Sequence, residues 1–184
     1  MREAVTLSRL VPQDLLQLER QPSQRLFLGT DGTISAAEAE GLAAMPQAWC
    51  VHRGSVPIAC FGVSELFPGQ HGVAWAMLGS GLGADHLRLT RFVRAKLAAC
   101  QLNRIETFVR CVDVEHLLAR SPQLDSGHLV ALAMLSPTAE CRWAAMLGFR
   151  PAHVLRRYGA GDETYMMMER ILPPLPWEVG DAVS

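Results

Sequence analysis

The sequence predicts one α/β domain in which a mixed, mostly antiparallel central sheet is flanked by helices. Three observations lead there. Hydrophobic periodicity alternates between about two and about 3.6 residues along the chain, and glycine- and proline-rich turn signals separate the segments at short intervals. With 184 residues and 49% hydrophobic composition, the chain fits a single sizeable core and leaves little room for a second.

The elements follow in order. Ala4–Leu7 reads as a first strand, and Pro12 followed by Asp14, Leu15, Leu16 and Leu18 as a helix with proline in its first turn. Ser35-Ala36-Ala37-Glu38 is a capping box, so a second helix should run to about Met45. Ala48–His52 and Val56–Val63 are β-type runs joined by Arg53-Gly54-Ser55, a hairpin signal. Phe67-Pro68-Gly69-Gln70 turns the chain into a strand over His71–Leu78. Gly79, Gly81 and Gly83 then lead to Asp85 and a long helix to about Cys100, buried through Leu89, Phe92, Val93 and Leu97. Arg104–Val112 is a strand, Thr138–Leu147 a short helix, and Ala152–Tyr158 and Thr164–Ile171 a closing hairpin. Residues 113–137, broken by Ser121-Pro122 and Asp125-Ser126-Gly127, read as an insertion with short helices at Val114–Ala119 and Leu129–Leu135. The domain is expected over 1–172, with 173–184 as an extended tail whose prolines Pro173, Pro174 and Pro176 forbid regular pairing.

Bulk properties exclude several classes. A net charge of -1 gives no overall attraction to nucleic acid or anionic membrane. Glu3, Asp14 and Glu19 interrupt the first 25 residues, so no secretory signal is expected. The longest apolar run, Leu129–Leu135, is far short of the roughly 18–20 residues of a membrane span. The five cysteines are scattered without a Cys-x-x-Cys pair and read as buried thiols in a reducing compartment. Gly62-Val63-Ser64-Glu65-Leu66 lacks the last glycine of a nucleophile elbow. The six histidines form no His-x-x-x-His pair, and Met166-Met167-Met168 reads as packing on alternate faces of a central strand.

In Arg142-Trp143-Ala144-Ala145-Met146-Leu147-Gly148-Phe149-Arg150, a short helix runs into Gly148 and an aromatic residue opens the next strand. This resembles the last helix-to-strand corner of the GNAT (GCN5-related N-acetyltransferase) fold, whose members often carry Tyr-x-x-x-Gly-Phe there. The element order is similar to the GNAT order over nearly the whole chain. Within that superfamily, Gly54–Val63 with Gly72–Leu78, Leu87–Arg94, and Leu147–Arg150 with Arg157-Tyr158-Gly159 look most like divergent GNAT-like proteins of tailed bacteriophages.

The resemblance implies two functions. The first is a structural or interaction component of a phage virion without acetyltransferase activity, made in the host cytoplasm and contacting other virion proteins, with DNA as a weaker partner. The alternative is an acyl-CoA-dependent N-acetyltransferase acting on a small amine or protein, with acetyl-CoA as cofactor. Active GNAT enzymes carry Arg/Gln-x-x-Gly-x-Gly/Ala before the long helix, so that helix-start amides hold the pyrophosphate. Gly81-Leu82-Gly83 supplies the glycines, and Met77, Leu78, Gly81, Gly83 and Ala84 are the cofactor-binding candidates. Glu65 and Tyr158 are the candidates for base and acid. Arg88, Arg91 and Arg94, three apart on the long helix, form a candidate interaction stripe. Leu78, Pro137 and Ala144 stand where the family often has Arg or Gln, Asn and Tyr, which turns the expectation against catalysis. No metal site is expected.

Overall fold

The computed structural model describes residues 3–22, 34–121, 123–159 and 161–172. Seven strands and six helices alternate along them: β1 (Val5–Arg9), α1 (Pro12–Gln17), α2 (Ala36–Ala43), β2 (Gln47–Arg53), β3 (Val56–Phe67), β4 (His71–Leu78), α3 (His86–Ala99), β5 (Arg104–Arg110), α4 (Glu115–Arg120), α5 (Ser126–Leu135), α6 (Ala139–Met146), β6 (Arg150–Leu155) and β7 (Tyr165–Ile171). The strands form one sheet in the order β1-β2-β3-β4-β5-β7-β6, antiparallel except at the β4–β5 junction.

Local chemistry accounts for the element ends. The capping box at α2 is formed: the Glu38 amide donates to Ser35 Oγ at 3.2 Å, and the Ser35 amide donates to Glu38 Oε2 at 2.8 Å. Gly148 closes α6 with φ +95°, a left-handed conformation that lets Phe149 fold back to a position only 4% exposed. Several boundaries depart from the periodicity. β3 continues to Phe67 because its hairpin partner pairs to the turn, Phe67 opposite His71. β6 spans Arg150–Leu155 rather than Ala152–Tyr158, because Arg157 turns the chain with φ +50°. α5 begins at Ser126, ahead of Leu129, because Asp125 Oδ1 accepts the His128 amide at 2.9 Å and caps it.

Each face of the sheet carries a core. On one, Ala48, Cys50, Cys60, Trp75 and Met77 pack against Leu15 and Leu18 of the α1 region and Ala39 of α2. On the other, Phe61, Val63, Ile105, Met166 and Met168 pack against Leu89, Val93 and Leu97 of α3 and Cys141 and Ala144 of α6. The 113–137 segment contributes Val114, Leu129 and Ala133 to this second core, so its helices are packed structure that belongs to the domain. Leu172 is tied to the sheet by its amide, which donates to Asn103 O at 2.9 Å. The expected tail over 173–184 lies outside the described residues.

Candidate functional site

The parallel junction of β4 and β5 sets up the site. These strands pair only at His71–Val73 with Arg104–Glu106. Immediately beyond, Thr107 Oγ1 donates to Ala74 O at 3.1 Å. A side chain thus takes a carbonyl that a continuing ladder would have used, and the strands part. The fork opens onto a cavity of about 320 Å³. Phe61 and Val63 of β3, Ala74, Trp75, Ala76 and Leu78 of β4, and Thr107–Arg110 of β5 line it, together with α3 and α6 side chains.

The two sides of the fork differ chemically. Toward α3 and α6 the walls are mostly apolar, through Val93, Leu97, Trp143, Ala144, Leu147 and Phe149. Trp143 Nε1 donates to Thr90 Oγ1 at 3.0 Å and the Thr90 hydroxyl donates to His86 O at 2.8 Å, which fixes α6 against the first turn of α3. Met166 and Met168 face this core, so the strand alternation turns Tyr165 to the opposite side. Tyr165 is 8% exposed and borders the cavity; burial, then the nearby Glu163 carboxylate, pushes its phenol above the usual tyrosine range. Glu140, at the start of α6, also lines the cavity, as does Lys96, whose ammonium sits 4.9 Å from the Trp49 ring centroid. Trp75 also lines the cavity, and its Nε1 is buried with no hydrogen-bond partner among the described residues.

The turn between β4 and α3 bounds the fork at one end. Leu82 is 1% exposed and anchors the turn in the core, worth about 1.5–3 kcal/mol for a fully buried leucine. Gly81, Gly83 and Ala84 are exposed on it, and Gly83 has φ +45°. Arg53 grips its underside: Nη2 donates to Gly81 O at 2.9 Å and to Leu82 O at 3.3 Å, and pairs with Asp85 Oδ2 at 2.6 Å. Arg53 therefore satisfies carbonyls and the carboxylate of the turn. Asp85, the N-cap of α3, makes no side-chain capping bond, so the helix start has no side chain of its own over its first amides.

The sequence-derived residues scatter around this geometry. Leu78 lines the cavity, whereas Met77 is buried in the α1–α2 core. Glu65 lies at the far hairpin, where it is exposed and accepts the Gly69 amide at 3.0 Å; it does not line the cavity. Tyr158 is 53% exposed and reaches the site only through its neighbours, stacking on Phe108 at 5.5 Å and edge-on to Tyr165 at 5.7 Å. Arg88, Arg91 and Arg94 are all exposed on α3. Pro137 precedes α6, and Ala144 is buried on the cavity wall. Trp75, Thr107, Glu140 and Tyr165 were not legible as site residues. Tyr165 had one usable signal, a tyrosine alternating out of phase with the core methionines on the last strand; Glu140 and Thr107 had none.

The fold answers to known structures. Ard1 from Thermoplasma volcanium is similar over 92% of this chain and 99% of its own, at 13% identity and a TM-score of 0.63. An aminoglycoside 6'-N-acetyltransferase complexed with coenzyme A is similar over 93% and 99%, at 15% identity and a TM-score of 0.61. This chain has the GNAT fold. A GNAT-like decarboxylase, GphF, in complex with isobutyryl-CoA shares it over 92% of this chain and 100% of its own, at 14% identity and a TM-score of 0.62. No protein-family model matches the sequence, and no curated protein does either. None of these three structures bears on the virion expectation, which gains no support from them.

Proposed function

We propose that this GNAT-fold chain is an acyl-CoA-dependent N-acetyltransferase acting on an amine. The virion reading gains no support from the similar structures. The observation that carries the proposal is the cavity at the β4–β5 fork, the opening in which the pantetheine arm lies in active members of the fold family. The residues present fit the group. The apolar wall of Val93, Leu97, Ala144 and Phe149 suits a thioester arm, and Gly81, Gly83 and Ala84 stand exposed on the turn before α3. When bound, acyl-CoA would supply an activated acyl thioester.

The chain's own groups then divide the remaining work. Phe61, Val63 and the α3–α6 wall exclude water from the reacting end. Tyr165, held protonated by burial, is a proton donor available at neutral pH on the cavity wall, even though Ala144 occupies the family's usual tyrosine position. Glu140 is the carboxylate at the same cavity able to take up the proton that the amine must lose. Glu65 lies too far from the cavity for that role.

Calorimetry with acetyl-CoA tests the proposal. Micromolar binding is expected, together with coenzyme A release when an amine acceptor is added. Absence of both heat and thermal shift would overturn it.

A further inference from the structure

On the opposite side of the sheet from α3, three elements bring soft and hard metal donors together. Cys50 and His52 stand two apart on β2 and so share one face. Asp14 of α1 lies over that face. A carboxylate oxygen of Asp14, Cys50 Sγ and a His52 ring nitrogen all lie within 4.8 Å of one another. Cys60 is the direct cross-strand neighbour of Cys50 on β3, and their sulfurs are 3.7 Å apart. Cys60 is a neighbour of this cluster rather than a member of it, its sulfur lying outside the mutual 4.8 Å reach of the three donors. None of these four residues lines the fork cavity.

We propose that Asp14, Cys50 and His52 bind a zinc ion. The arrangement already has the order around the ligands that such sites use. His52 Nε2 faces Asp14 Oδ1 at 2.9 Å, and its Nδ1 lies 3.5 Å from Ser8 Oγ, which orients the ring. Asp14 Oδ2 is held separately by the Val11 amide at 3.1 Å, so the carboxylate stays fixed when its other oxygen turns to a metal. Asp14 is 7% exposed and both cysteines are fully buried, while the His52 side chain is 17% exposed and gives the ion its route in. Binding displaces the Cys50 thiol proton to solvent and replaces the His52–Asp14 hydrogen bond with one bond from each of these residues to the metal.

The test uses the reduced full-length chain titrated with cobalt(II), then zinc(II). One cobalt per chain with a thiolate charge-transfer band, bleached by zinc, is expected. Cys50→Ser should abolish the band, and His52→Gln should weaken cobalt affinity at least about tenfold. Cys111→Ser, on the other core, should leave it unchanged. Native mass spectrometry of the unsubstituted chain with added zinc covers the case in which Cys50→Ser fails to fold. A folded chain showing no thiolate band, a band that survives Cys50→Ser, or no one-to-one zinc adduct would each overturn the proposal. Acetyl-CoA binding is measured on the same sample, so loss of one activity does not imply loss of the other.

Discussion

Tyr165 carries the sharpest prediction at the level of single residues. Burial makes its ionisation unfavourable, so the folded chain holds the phenolic proton more tightly than the unfolded chain does. The associated stability is intact below the ordinary tyrosine pKa and falls as pH rises through the higher folded-state value. Tyr165→Phe should therefore remove part of the alkaline loss seen in pH-dependent thermal melts. In turnover assays it should lower kcat by about 10²-fold or more while leaving acetyl-CoA affinity unchanged, and an unchanged kcat would remove Tyr165 from the chemistry. Gly83 gives a second prediction. With φ +45° and open space around its Cα, Gly83→Ala should cost about 1–2 kcal/mol through backbone strain alone. Gly81→Ala, at a position with neither constraint, should stay within about 0.5 kcal/mol in urea melts.

Among the elements, α6 and the strand fork matter most to the site. Ala144 is one of the small residues through which α6 lines the cavity, and Trp143 of α6 with Thr90 of α3 locks the two helices together. Ala144→Phe should fill the fork, costing about 1–3 kcal/mol of overpacking. Acetyl-CoA affinity measured by calorimetry should drop by at least about tenfold. Thr107→Val keeps the shape but strands the Ala74 carbonyl, so a loss of about 1–3 kcal/mol is expected in chemical denaturation. The α2 capping box and the Gly148 corner that ends α6 were readable because they depend on residues a few positions apart. The fork was not, because Thr107 and Ala74 are 33 residues apart and nothing in either neighbourhood marks a ladder about to stop.

For the whole molecule, one sheet separates two chemically different places, the fork cavity against α3 and α6 and the Asp14–Cys50–His52 corner under α1. All five cysteines are buried, and burial pushes Cys111 up to about 12, so a thiol reagent at mildly alkaline pH should label the folded chain slowly and the urea-unfolded chain at once. Saturating acetyl-CoA should raise the melting temperature of the folded chain in proportion to the logarithm of its concentration, because the cavity exists only when both halves of the sheet are assembled. With a net charge of -1, that binding has no long-range steering and rests on contacts inside the fork.

Periodicity, turn chemistry and capping pairs were enough to order the strands and helices, since each is a relation between near neighbours in the chain. They also supplied the glycine turn before α3 and the Gly148-Phe149 corner. That Tyr165 and Glu140 line the fork cavity while Tyr158 and Glu65 do not, and that Asp14 meets Cys50 and His52, was decided by tertiary structure alone. Those side chains converge from separate elements, and which groups share a cavity is fixed by how the sheet twists and parts rather than by any spacing along the sequence.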